Sequence, residues 1–140
     1  MKISIQINAS PYQHQAADTA WHFIQAAMAG GHEVYRVFFY HDGIYNAARD
    51  SRPPGDERDI VKRWSELNSN DGVDLVVCVS SAQRRGLLEQ SVAKKVGGYE
   101  KAIANGFRIA GLGLLMEAII DSDRHITFGA WDENVIFYYW

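Results

Sequence analysis

Apolar and polar residues alternate from Lys2 to Ile7 (Lys2, Ile3, Ser4, Ile5, Gln6, Ile7), the period of a strand with one buried face. Asn8, Ala9 and Ser10 end the alternation. Pro11 then suits the first position of a helix with Ser10 as N-cap, because the N–H that proline lacks is one a helix leaves unpaired there. Ala17, Ala20, Trp21, Ile24, Ala27 and Met28 recur three and four apart, which places them on one helical stripe. Gly30 and Gly31 predict its end. The run EVYRVFFY (33–40) reads as a second strand, and its continuously apolar end fits a parallel sheet covered on both faces. Gly43, Asn46, Pro53, Pro54 and Gly55 mark a long loop over 41–55. A helix follows from Asp56 to Leu67 with Ile60, Trp64 and Leu67 on one face, then a strand over 74–79 and a short helix from Ser80–Ser81. A strand at 107–109, a helix at 112–121 with Leu112, Leu115, Met116 and Ile119 inward, and a strand at 124–128 complete the pattern. Residues 86–106 carry no clear period.

Strands alternating with helices predict an α/β fold. The expected architecture is a single-domain layered fold with a mainly parallel five-stranded sheet and helices on both faces. The domain spans 1–129, and 130–140 (AWDENVIFYYW) is an apolar C-terminal extension whose last six residues, Val135 to Trp140, are all apolar. Either a sixth, edge strand or a surface buried by a partner subunit accounts for such an ending.

A chain of 140 residues with 47% hydrophobic and 22% charged positions has the composition of a folded globular domain. Its net charge of −3 argues against direct binding of nucleic acid, which needs a surplus of Lys and Arg. MKISIQINAS alternates too regularly for a secretion signal. No stretch approaches the roughly 18–20 apolar residues of a membrane span. A lone cysteine suits a reducing compartment, so a cytoplasmic location is expected.

That cysteine, Cys78, is the leading chemical candidate. It lies where the apolar run DLVVC meets the polar SSAQRRG, at the carboxyl end of a predicted strand, where open parallel sheets gather reactive groups. The helix predicted next offers free N–H groups to a thiolate, and Arg84 and Arg85 offer positive charge. A buried, inert cysteine in a run of Leu and Val is the competing reading. His41 and Asp42 at the exit of the second strand are further candidates for the surroundings of the thiol, with a solvated loop as the alternative. The five histidines include no pair at the i, i+4 spacing of a helical metal site, so no metal is expected. AGLGLLMEA (110–118) places Met116 where a dinucleotide fingerprint has its third glycine, and no Gly-Lys-Ser/Thr phosphate loop occurs.

Taken together, SPYQHQAADTA (10–20), RVFFYHDGIYNA (36–47), VVCVSSAQRRG (76–86), FRIAGLGLLMEA (107–118) and DSDRHITFG (121–129) resemble the DsrE/TusD family of small sulfur-transfer proteins. The histidine-bearing YQHQ and YHDG are more similar to the DsrE branch, of sulfur-oxidising bacteria, than to the TusD branch, of tRNA thiolation. The resemblance implies a sulfurtransferase without a cofactor, carrying sulfur as a persulfide on Cys78. It also implies a heterohexamer with DsrF- and DsrH-like, or TusC- and TusB-like, subunits. The implied sulfur donor is TusA-like, and the acceptor is DsrC- or TusE-like. The tail after Gly129 departs from the family pattern.

Overall fold

Ile3, Ile5 and Ile7 of β1 (Lys2–Ile7) are buried on one face of the strand, as the alternation predicts. β1 pairs in parallel with β2 (Glu33–Phe39) on one side and β5 (Arg124–Phe128) on the other. β3 (Asp74–Cys78) and β4 (Phe107–Ala110) continue beyond β2, so the five-stranded sheet has the order β4-β3-β2-β1-β5 with every strand pair parallel. The computed structural model describes residues 1–87 and 102–130. The expected sixth strand or partner surface of the tail, and most of the unassigned stretch 86–106, lie outside them.

Right-handed crossovers explain the layering. From β1 to β4 the chain advances in one direction, which puts α1 (Ala16–Ala29), α2 (Ile60–Asp71) and α3 (Val79–Arg84) on one face. The return from β4 to β5 across the sheet puts α4 (Gly113–Asp121) on the other. Two cores result. The larger joins Ile3, Ile5, Ile7, Val37, Phe39, Leu75 and Val77 to Ile24, Trp64 and Ala82 of the three helices. The smaller joins Phe38, Val76 and Cys78 to Leu115 of α4.

Three elements differ from the sequence expectation by more than a residue or two at a boundary. The first helix begins at Ala16 after Gln15, not at Pro11. Tyr12 has φ of 70°, a left-handed conformation outside any right-handed helix. Its hydroxyl donates to the Arg58 carbonyl (3.0 Å) and accepts from Ile60 N–H (3.2 Å), tying residues 10–13 to the start of α2 instead. The second helix begins at Ile60, where the Asp59 side chain caps Lys62 N–H at 3.0 Å, and it runs on to Asp71 before Gly72 ends it at φ of 69°. The expected loop after β2 opens as a 3₁₀ helix, His41–Ala47, with Ile44 and Ala47 in the larger core.

α4 departs more sharply. Leu115 and Ala118 face inward, but Leu112, Met116 and Ile119 are 48%, 54% and 39% exposed, and Ile120 is 75% exposed. The helix is apolar on nearly every side, so hydrophobicity alone does not say which stripe meets the sheet. The choice is made by Arg36, which is 4% exposed in the middle of β2. Its Nη1 donates to the Leu114 carbonyl at 2.8 Å, its Nε to Asp74 at 2.6 Å, and its Nη2 lies 3.5 Å from Glu117. Arg108 also grips Asp74 through two hydrogen bonds of 2.8 Å.

The same face of the sheet carries a second polar cluster. His125 Nδ1 lies 2.7 Å from Ser4 Oγ, and its Nε2 lies 3.3 Å from Gln6 Oε1. An amide oxygen only accepts, so Nε2 bears the proton and Nδ1 accepts from Ser4. Burial lowers the pKa of His125 below its ordinary 6.5. The unfolded chain therefore binds a proton near pH 6.5 that the folded chain refuses until lower pH, and stability falls as pH drops through that interval. Thermal melts at pH 7.5 and 5.5 should show the lower midpoint at pH 5.5, with a smaller difference in His125→Gln. An unchanged difference in the variant would remove His125 as the cause.

Candidate functional site

β3 ends at Cys78, whose backbone (φ −62°, ψ 121°) is the N-cap of α3. The first turn of α3 thus starts on the very next residue, at Val79, where the sequence predicts a strand to 79 and a helix only from Ser80–Ser81. Side chains alternate along β3, so Val77 enters the larger core and Cys78 points to the opposite face, toward α4. The chain leaves β3 into α3 on one face and leaves β4 into α4 on the other. Cys78 pairs in register with Ala110, the last residue of β4. The cysteine therefore sits at the point where adjacent strand exits diverge, the crevice in which open α/β sheets place ligands.

The thiol is covered. Cys78 is 1% exposed and packs in the cluster of Phe38, Val76 and Leu115, with Tyr40, Ala110 and Leu114 only partly buried around it. Among the described residues no hydrogen bond or ion pair reaches its sulfur.

Three of the candidates from the sequence, His41, Asp42 and Arg85, gather beside α3. Arg85 Nε donates to Asp42 Oδ1 at 2.8 Å and its Nη1 to the Ser81 carbonyl at 3.1 Å. His41 N–H donates to Ser81 Oγ at 3.1 Å, and the rings of Tyr40 and His41 are 3.9 Å apart. The structure thus brings His41, Asp42 and Arg85 together and joins them to the helix that follows Cys78. Arg84 is exposed in the last turn of α3 and outside this cluster. Arg85, one of the two arginines expected to offer the thiol positive charge, is paired with Asp42.

Sequence reading missed Gly43, Ser81 and Asn46. A Cβ on Gly43 would lie 2.0 Å from the Ile7 carbonyl oxygen, so the 3₁₀ helix crosses the end of β1 at a distance only glycine allows. Asn46 is fully buried, donates to the Gly43 carbonyl at 2.8 Å and accepts from Trp64 Nε1 at 3.1 Å. The signal available was the compact spacing His-Asp-Gly-x-x-Asn, which reads as loop chemistry until its partners are known. A cleft of about 400 Å³ beside it is lined by Ser10, Pro11, Tyr12 and Gln13 on one side and Asp42, Tyr45, Ala48 and Ser51 on the other. Two of the sequence motifs therefore meet at the carboxyl edge of the sheet.

The model of the DsrE/DsrF-like family matches residues 1–128. The chain belongs to that family. It is 51% identical over 129 residues to DsrE of Allochromatium vinosum, named a sulfurtransferase, covering 92% of this chain and 99% of that protein. It is 39% identical over 128 residues to the sulfurtransferase TusD of an Enterobacter species, covering 91% of this chain and all of that protein. The fold is also that of the YchN protein from E. coli, with a TM-score of 0.72 at 21% identity over 91% of this chain and 99% of the other. The family match ends at Phe128, at the close of β5, so the apolar tail lies beyond it. Among the described residues no helix is long and apolar enough to cross a membrane.

Proposed function

We propose that this member of the family is a sulfurtransferase subunit that carries sulfur as a persulfide on Cys78 and passes it to a thiol of a partner protein. The observation that carries the reading is the position of the chain's only cysteine, at the divergent exits of β3 and β4, in a protein half identical to a named sulfurtransferase. In the first step the Cys78 thiolate attacks the outer sulfur of a donor persulfide. The donor's S–S bond breaks, a new S–S bond forms on Cys78, and the donor leaves as a thiolate. In the second step an acceptor thiolate attacks the outer sulfur and Cys78 leaves as a thiolate. Zero-valent sulfur moves in both steps, so neither needs an added oxidant or reductant. With no second cysteine in the chain, the persulfide has no internal thiol with which to collapse into a disulfide.

Burial of the thiol sets a condition on this chemistry. A donor reaches Cys78 only when the partly buried side chains over it, Leu114 of α4 or Tyr40 after β2, move aside. Docking of a partner at the carboxyl edge supplies that displacement in this reading. The donor is TusA-like and the acceptor DsrC- or TusE-like, within a cytoplasmic assembly of related small subunits. The higher identity to DsrE than to TusD favours dissimilatory sulfur oxidation, and the TusD likeness keeps delivery for tRNA 2-thiouridine as the second destination.

The burial also favours a rival, a non-catalytic subunit with an inert cysteine. Incubation with a persulfide donor followed by intact mass measurement separates the two. The carrier gains one sulfur, about 32 Da, on wild type and nothing on Cys78→Ser. No gain on the wild-type protein within its assembled complex, or an equal gain on both chains, would falsify the carrier reading.

A further inference from the structure

We infer that Tyr40 is the movable gate over Cys78 and that His41 is the stop that holds it shut. The inference deepens the carrier reading and rests on it for its purpose, while the access it describes is measurable without any sulfur donor. β2 and β3 run in register through Phe38–Val76 and Phe39–Val77. Tyr40 keeps an extended backbone (φ −129°, ψ 156°), so the next step along both chains sets it beside Cys78. Alternation turns both side chains to the face of Phe38 and Val76, where Tyr40 packs, partly buried, on the cluster that encloses the thiol. Ala110 of β4 flanks Cys78 on its other side, and Leu114 and Leu115 close the side toward α4.

These walls differ in their freedom to move. Ala110 belongs to β4, and its methyl has no rotamer to change. α4 is clamped at Leu114 itself, whose carbonyl accepts from Arg36 at 2.8 Å. One turn on, Glu117 accepts from the Tyr35 hydroxyl at 2.8 Å and lies 3.5 Å from Arg36. Among the described residues no hydrogen bond reaches the Tyr40 hydroxyl, so rotation of that side chain breaks none. What the Tyr40 ring meets is the ring of His41, 3.9 Å away between centroids. Neighbouring side chains of an extended chain diverge to opposite faces. These two meet because His41 is left-handed (φ 50°), a conformation uncommon for a residue with a side chain, and its N–H is tied to Ser81 Oγ at 3.1 Å. His41 is exposed. A docking protein can therefore draw the imidazole away and release Tyr40, whereas a small free thiol makes no contact large enough to do so. The gate thus reserves the sulfur on Cys78 for protein partners.

The rate at which Cys78 of the folded full chain is alkylated, followed by intact mass, tests the gate. His41→Asn removes the ring and keeps a residue that tolerates the left-handed backbone. It should speed alkylation by iodoacetamide about three- to tenfold, the range that one aromatic contact is worth. Tyr40→Ala should be at least as fast, and His41→Asn should add nothing in that background, because the stop then has nothing to hold. A bulky maleimide should gain more from each change than iodoacetamide does. An altered thiol charge would speed both reagents alike, and that result would overturn the inference. So would an unchanged rate in His41→Asn or Tyr40→Ala, or a larger gain in Arg36→Lys than in His41→Asn, which would make α4 the moving wall. Melting curves establish that each variant is folded at the labelling temperature. Labelling as expected without sulfur uptake from a persulfide donor would sink the carrier reading and support the gate. Sulfur uptake with labelling unchanged in His41→Asn would sink the gate alone.

Discussion

Gly43→Ala is expected to lower folding stability by about 3 kcal/mol or more, the upper range for forcing atoms into a filled site. The added methyl would meet the Ile7 carbonyl oxygen at 2.0 Å and its carbon at 2.8 Å, and both are backbone at the end of a central strand. No rotamer change relieves such an overlap. Relief requires the 3₁₀ helix to lift from β1, and that movement breaks what the segment holds in place. Gly43 N–H donates to the Tyr40 carbonyl at 2.9 Å, and its own carbonyl accepts from Asn46, which in turn holds the indole of the fully buried Trp64. A urea titration should show the midpoint lowered by roughly 1–2 M at an unchanged slope. A midpoint within experimental error of wild type would mean the crossing is looser than described. Since His41 and Asp42 precede Gly43 directly, the variant should also loosen the Asp42–Arg85 pair that joins this segment to α3.

The second large effect concerns the opposite face. Arg36→Ala should destabilise the fold by about 3 kcal/mol, the cost of removing one member of a buried charge network. The Leu114 carbonyl then loses its side-chain donor and Asp74 keeps only Arg108. For a chain of this length the loss corresponds to a drop of roughly 10 °C in the melting midpoint. Arg36→Lys should recover only part of it, since an ammonium lacks the planar fork that serves Asp74 and Leu114 together. The network has a pH signature as well. Burial opposes ionisation of Asp74, yet the hydrogen bonds from Arg108 and Arg36 outweigh it and hold the carboxyl below its ordinary 3.8. Its stabilisation is complete above that value and is lost as pH falls through the lower folded pKa. The acid-range slope of stability should therefore be shallower in Arg36→Ala. An equal slope in both proteins would show that Arg36 does not share in holding the Asp74 charge.

Much of the architecture was legible because strands and helices announce themselves locally. The alternation in β1, the apolar runs of β2 and β3 and the three-four spacing in α1 each reflect which side chains one element presents to one neighbour. The start of α1 was misread because Pro11 and Ser10 satisfy every local rule for a helix start, while Tyr12 answers to Arg58 and Ile60, more than forty residues away. The inward face of α4 was misread for a related reason. With apolar residues on both stripes, the deciding contact is a buried arginine on β2, and no pattern within 112–121 refers to it.

Chain order alone determined that the one thiol lies at a carboxyl strand end, directly before a helix, and that His41 and Asp42 leave the neighbouring strand. Those are consequences of short-range periodicity and turn chemistry, which act between residues a few positions apart. Only the tertiary structure decided that the thiol points toward α4 and is enclosed by Phe38, Val76 and Leu115, that Arg85 is committed to Asp42, and that Gly43 touches β1. The hand of the crossovers and the filling of space between layers settle those points, and both couple residues that the sequence separates by tens of positions.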